Sequence, residues 1–147
     1  KGFDLSAIFA YSIGGYIYNR DITMILHNGS LEGRDWSTEI LRRWTPENRY
    51  TDVPALSTTS NNWNSASTRF LQNNSYMRLK NLTLSYNLPK QLISKLALSS
   101  VQVFVQGDNL FTIHRNQGLD PEQGITGITY YRYPAMRTIS GGINVSF

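Results

Sequence analysis

The sequence predicts an all-β chain, an antiparallel curved sheet of about four long strands with short helices in its loops. Four segments alternate apolar and polar residues with a period of two, the pattern of a sheet with unlike faces. Each runs for about 10 residues, the length a tilted strand needs to cross a bilayer, where ordinary globular strands are nearer 5 or 6. Their polar faces are built from Ser, Thr, Asn and Gln rather than Lys and Glu. A water-filled lumen favours that choice, whereas the outer face of a soluble sandwich usually carries more charge.

The first strand is expected at about 2–13. It sets Phe3, Leu5, Ala7, Phe9 and Tyr11 against Asp4, Ser6, Ile8, Ala10 and Ser12. The second, at about 75–88, turns Leu82, Leu84 and Tyr86 one way and Asn81, Thr83 and Ser85 the other. The third, at about 99–112, places Val101, Val103 and Val105 opposite Gln102, Phe104, Gln106 and Asp108. The last, at about 136–147, sets Ile139, Gly141, Ile143, Val145 and Phe147 against Thr138, Ser140, Gly142, Asn144 and Ser146. Four such strands with one oily face are hard to hide in 147 residues, so a further part of the protein is expected beyond them.

The connections read long, short, long, with long loops at about 14–74 and 113–135. In the first, Gly14-Gly15 precedes a helix expected near Tyr18 to His27, closed by Asn28-Gly29. A second short helix is expected after Asp35 as its cap, with Trp36, Ile40 and Trp44 at i, i+4 and i+8 forming one face. Thr45-Pro46 ends it, and the polar run from Ser57 to Thr68 reads as a loop. The short connection opens with Pro89, suited to a first helical position, and carries Leu92, Ile93 and Leu96 on an apolar edge. In outer-membrane barrels the long loops are extracellular and the turns periplasmic. Alternating strand direction then sends both long loops outward and the C-terminus to the periplasm.

Mean hydropathy is −0.34 and no apolar run is long enough for a transmembrane helix. Barrel strands escape such averages, because their two faces alternate. The chain has no cysteine, which removes disulfides and thiolate metal sites. Its net charge of +4 is scattered, with Arg42-Arg43 the only basic doublet, so nucleic acid is not an expected partner. The two histidines, His27 and His114, lie far apart, and neither a nucleophilic triad nor a phosphate loop is visible. No enzyme activity is expected. Asp108, Asp120 and Glu122 could offer oxygens to calcium, but they are too few for such a site. Gly-Leu-Asp-Pro-Glu reads more simply as a proline-fixed turn, so neither metal nor cofactor is expected.

Several ordered blocks carry a family resemblance. The run from Tyr76 to Pro89 (YMRLKNLTLSYNLP) resembles the "YLRLKNLTLGYTLP" block of SusC/RagA-type TonB-dependent transporters. In register after it come Ser94-Lys95-Leu96, then Gly107-Asp108-Asn109-Leu110-Phe111-Thr112, similar to "GxNLFT". Gly118-Leu119-Asp120-Pro121-Glu122 then matches "GLDPE", and Tyr133-Pro134 precedes the last strand. Upstream, Arg43-Trp44-Thr45-Pro46-Glu47-Asn48 and Thr51-Asp52-Val53-Pro54 resemble "RWTPEN…TDxP". The resemblance covers nearly the whole chain and is weakest from Asn19 to Gly33.

It implies a C-terminal piece of a barrel of about 22 strands, in the bacterial outer membrane. The N-terminal plug and the TonB-contacting segment would belong to the missing part. It further implies import of oligosaccharides or peptides with a SusD-type surface lipoprotein, with TonB, the barrel-assembly machinery and membrane lipid as other partners. Trp36, Trp44, Trp63, Tyr130, Tyr131 and Tyr133 lie in the expected outer loops and are candidates to touch substrate or partner. Phe147, with Ile143 and Val145 behind it, resembles the terminal signal read by the assembly machinery. Two other readings stand: a soluble secreted carbohydrate-binding module, and a non-transporting adhesin barrel. In a module the apolar stripes must face each other in a closed core; in a barrel wall they share one outward surface.

Overall fold

The computed structural model describes residues 2–27, 31, 33–57, 59, 65–94, 98–116, 118, 120–122 and 126–147. In chain order the strands are β1 (Phe3–Ser12), β2 (Tyr16–Asn19), β3 (Leu71–Asn73), β4 (Tyr76–Asn87), β5 (Ser100–His114), β6 (Ile128–Thr129) and β7 (Thr138–Ser146). The α-helices are α1 (Arg20–Ile25) and α2 (Lys90–Ile93), and 3-10 turns occupy Thr38–Arg42 and Thr68–Phe70. The chain divides into two compact units: a sheet unit of residues 1–14, 74–115 and 134–147, and a loop unit of residues 15–73 and 116–133.

The sheet unit is one four-stranded sheet in the order β1-β4-β5-β7, every pair antiparallel. Its strands have 10, 12, 15 and 9 residues, long enough to span a hydrocarbon core. It is open, and β1 and β7 are its edges. β5 reaches two residues further than the pattern suggested: Ile113 and His114, expected in a loop, pair with Met77 and Tyr76. Between β4 and β5, Pro89 precedes α2, where Ile93 is buried and Leu92 exposed; Leu96 lies outside the described residues.

The register shifts once, at one height across three strands. Ile8 faces Asn81 but Phe9 faces Leu79, so Lys80 is extra on β4. On β5 the partners of Asn81 and Leu79 are Asp108 and Phe111, so Asn109 and Leu110 stand against the single Lys80. Such bulges bend a strand and raise its twist. Asn109 takes φ 52, a left-handed conformation that asparagine tolerates better than most residues, and its side-chain amide donates to the Met136 carbonyl at 3.2 Å. Asn109→Val should cost about 1–2 kcal/mol, as a branched Cβ suits that region poorly, while Asn109→Gly should stay close to wild type. Urea unfolding midpoints of the two variants check this.

Glycines adjoin the bulge and the last strand for steric reasons. A Cβ on Gly107 would lie 2.6 Å from Leu110 Cδ2, and one on Gly142 2.8 Å from the Phe104 ring. Each glycine leaves room for its large neighbour.

The loop unit holds a second sheet, β3-β2-β6, which the sequence did not suggest. β2 pairs antiparallel with β3 and parallel with β6. The helix expected from Tyr18 to His27 starts later: Tyr16–Asn19 is strand, and α1 covers Arg20–Ile25. Asn19 sets that boundary, its side-chain oxygen accepting the Ile22 N–H at 3.1 Å as an N-cap does. The closing Asn28-Gly29 lies outside the described residues. The second expected helix is a 3-10 turn capped by Ser37, not Asp35. Ser37 Oγ accepts the Glu39 N–H at 3.2 Å, and a 3-10 turn cannot hold an i, i+4, i+8 face. Ile40 is instead buried with Val53. The centre of the unit is Ile17, Phe70, Leu26 and buried polar residues such as Asn19 and Thr129.

Candidate functional site

The cross-strand register gives the four-stranded sheet two unlike faces. Residues directly opposite one another share a face. One row is Leu5, Leu84, Val105 and Gly141; the next is Phe3, Tyr86, Val103 and Ile143. Beyond the bulge the same face continues with Phe9, Leu79 and Phe111. All four apolar stripes therefore lie on one side. That side is open: Leu5 is 71% exposed, Ile143 65% and Val105 48%. A continuous exposed apolar face of this kind marks a surface that meets another apolar phase or partner.

The opposite face is a ladder of side-chain hydrogen bonds. Asn87 Nδ2 donates to Asp4 Oδ2 at 2.8 Å, Gln102 Nε2 to Ser85 Oγ and Asn144 Nδ2 to Gln102 Oε1, both at 3.2 Å. One turn of the ladder centres on Asp108, which accepts from Asn81 Nδ2 at 2.8 Å and from Gln106 Nε2 at 3.0 Å. Thr83 Oγ1 donates to Asn81 Oδ1 at 2.9 Å. Further along, Arg78 Nε donates to Thr112 Oγ1 at 2.9 Å. Most of these bonds join polar side chains of neighbouring strands. A wetted wall can carry them at little cost, each contributing of order 1 kcal/mol net.

The candidate residues of the loop unit fall into separate places. Trp36 sits edge-on to buried His27, ring centroids 5.6 Å apart. Trp44 follows the 3-10 turn; its backbone N–H donates to the Val53 carbonyl at 2.8 Å. Trp63 lies outside the described residues. The RWTPEN block is a knot of turns: Thr45 Oγ1 accepts the Asn48 N–H at 3.0 Å, and the Asn48 amide donates to the Arg42 and Arg43 carbonyls. Asp120 Oδ1 accepts the Glu122 N–H at 2.9 Å, an Asx turn across Pro121. Among the described residues no three His, Cys, Asp or Glu side chains gather.

Tyr130, Tyr131 and Tyr133 come together with residues that carried no sequence signal. The Arg20 guanidinium lies over the Tyr130 ring at 4.9 Å, and the Tyr130 and Tyr131 rings are 4.3 Å apart. Asp21 Oδ1 accepts the Tyr131 N–H at 3.0 Å. Tyr133 is 97% exposed. Arg20 and Asp21 belong to the stretch where the family resemblance is weakest, Arg34 lies just beyond it, and no period or motif singles them out. In the sheet unit, Ile143 and Val145 share the apolar face of β7, and Phe147 lies just beyond it.

No family model matches the chain. Curated relatives do. TonB-dependent receptor P3 of Formosa agariphila (strain DSM 15362 / KCTC 12365 / LMG 23005 / KMM 3901 / M-2Alg 35-1) is 33% identical over 158 residues, covering 100% of this chain and 15% of the receptor. TonB-dependent receptor P26 of the same organism is 30% identical, again over 100% of this chain and 16% of its own length. Among solved structures, the RagAB peptide transporter matches with a TM-score of 0.86 at 34% identity, covering 100% of this chain and 16% of that one. The RagAB peptide importer in its open-open state gives the same four values. The chain thus spans about one sixth of the proteins it matches. No helix among the described residues is long and apolar enough to cross a membrane, which says nothing of strands. Over its full length the chain thus matches a segment of the TonB-dependent receptors.

Proposed function

We propose that this segment forms part of the barrel wall of a TonB-dependent outer-membrane transporter that imports oligosaccharides or peptides with a SusD-type surface lipoprotein. The observation that carries the reading is the sidedness of the four-stranded sheet. Its apolar stripes share one exposed surface and its amides and hydroxyls the other, as a wall between lipid and a wet lumen requires. A soluble binding module would fold those stripes against each other. The similarity to the RagAB peptide transporter supports import over adhesion.

In this reading the stretches at about 14–74 and 113–135 are the extracellular loops. Both leave and rejoin the sheet at the end where Ser12, Tyr76 and His114 abut. Trp36, Trp44, Tyr130, Tyr131 and Tyr133 are the loop aromatics through which substrate or lipoprotein is contacted. Phe147, Val145 and Ile143 present the strand to the assembly machinery, and coupling to TonB belongs to other parts of the receptor.

Single cysteines in a cysteine-free version of the complete receptor test the sidedness, this chain having none of its own. A maleimide dissolved in the bilayer should label Ile143→Cys and leave Ser140→Cys, three residues away on the other face, unmodified. Labelling of Ile143→Cys only by a water-soluble maleimide would remove the barrel-wall reading in favour of a soluble module.

A further inference from the structure

We infer that the recess around Tyr131 in the loop unit is a binding site for a short peptide, gripped by its charged ends. The inference rests on the reading that the loop aromatics meet substrate, and it names the substrate class.

Two adjoining cavities form the recess. One of about 290 Å³ is lined by Asp21, Tyr131, Arg132 and Tyr133. The other, of about 490 Å³, shares Asp21 and Tyr131 and adds Met24, Ile25, Arg34 and Asp35. Together they reach the size range of ordinary ligand sites.

The charge pattern selects the ligand. Two carboxylates and two guanidinium groups line the recess, yet among the described residues none of the four is in an ion pair; the pairs present are those of Arg42. Asp21 spends an oxygen on the Tyr131 N–H, and Arg34 Nη1 reaches the Tyr131 hydroxyl only at 3.4 Å. A ligand with a positive and a negative end complements such a site: its ammonium suits Asp21 and Asp35, its carboxylate the forked donors of Arg34 and Arg132. Met24 and Ile25 offer an apolar surface for its side chains. A neutral oligosaccharide could stack on the tyrosines but would leave both pairs of charges unanswered.

Tyr131 is held ready for this. Its φ of 47 lies in a region that non-glycine residues occupy sparsely. The Asp21 carboxylate, the Arg34 guanidinium and the adjacent, tilted Tyr130 ring hold it there, so its ring is ordered before a ligand arrives.

Calorimetry on the complete receptor in detergent tests the inference with three probes: an alanine–serine hexapeptide with free termini, its N-acetylated and C-amidated counterpart, and maltohexaose. The free-ended peptide should bind, and capping both ends should weaken it by about tenfold or more, as loss of charge-assisted bonds demands. Arg132→Gln should weaken the free-ended peptide and leave the capped one unchanged. Tyr131→Gly, which keeps the backbone conformation without strain, should weaken both. Equal binding of capped and free peptides, binding of maltohexaose in place of peptide, or binding of no probe would each overturn the inference. None of these outcomes touches the transporter reading, which stands or falls on the cysteine labelling.

Discussion

Val105→Arg in the complete receptor is expected to destabilise the folded barrel by about 2–4 kcal/mol, the cost of an arginine near the bilayer midplane on a lipid-facing wall. Val105 stands near the middle of β5, between Leu84 and Gly141, on the apolar face. Ser140→Arg is the matched control. Ser140 lies opposite Gln106 on the polar face, where a long cation can reach water, and its effect should stay within about 0.5 kcal/mol. Urea unfolding in phospholipid vesicles, followed by the gel shift between folded and unfolded barrel, gives both values. Equal penalties at the two sites would mean that the apolar face does not meet lipid.

A larger loss is expected from Phe70→Ala, about 3–5 kcal/mol for emptying a fully buried aromatic site. Phe70 is 1% exposed, its ring edge-on to Tyr18 with centroids 6.1 Å apart, and it closes the 3-10 turn that leads into β3. The loop unit has a small core, so one ring is a large share of what holds it. The expected result is rapid hydrogen exchange and new protease sites within residues 15–73, as local opening of a marginal unit produces. Leu41→Ala, at a position 72% exposed, should leave the pattern unchanged. An unaltered exchange profile in Phe70→Ala would show that the loop unit is not held by this core.

The four-stranded sheet was legible because its signal is repetitive: long alternation in β1, β4, β5 and β7 is visible one strand at a time. The loop unit was not, for three physical reasons. β2, β3 and β6 have 4, 3 and 2 residues, too few for a period to show. Their partners are far apart in sequence: Tyr18 pairs with Leu71 and with Ile128. And Tyr16-Ile17-Tyr18 can read as strand or as the start of an amphipathic helix until Asn19 is recognised as the cap. The candidate site was half visible for a related reason. Tyrosines in a loop draw notice by type alone, whereas Asp21, Arg34 and Arg132 gain meaning only when folding gathers them around Tyr131.

The bulge shared by β4 and β5 bears on how such a wall can be altered. A pleated strand is read in twos, as a gene is read in threes, and an odd residue throws everything after it out of phase. Lys80 is such a residue: upstream of it Met77 and Leu79 keep to the oily side, downstream Leu82 and Leu84 do, although the count between them is odd. Next door two residues, Asn109 and Leu110, stand against that one, and because two is even β5 keeps its phase: Val105, Gly107, Phe111 and Ile113 stay on the oily side. The RLKNL block alone therefore carries the change of phase, and the GDNLF block lengthens its strand beside it. Grafted into another barrel, the RLKNL block would reverse the faces of everything after it in its strand, whereas the GDNLF block would leave its strand's faces as they were.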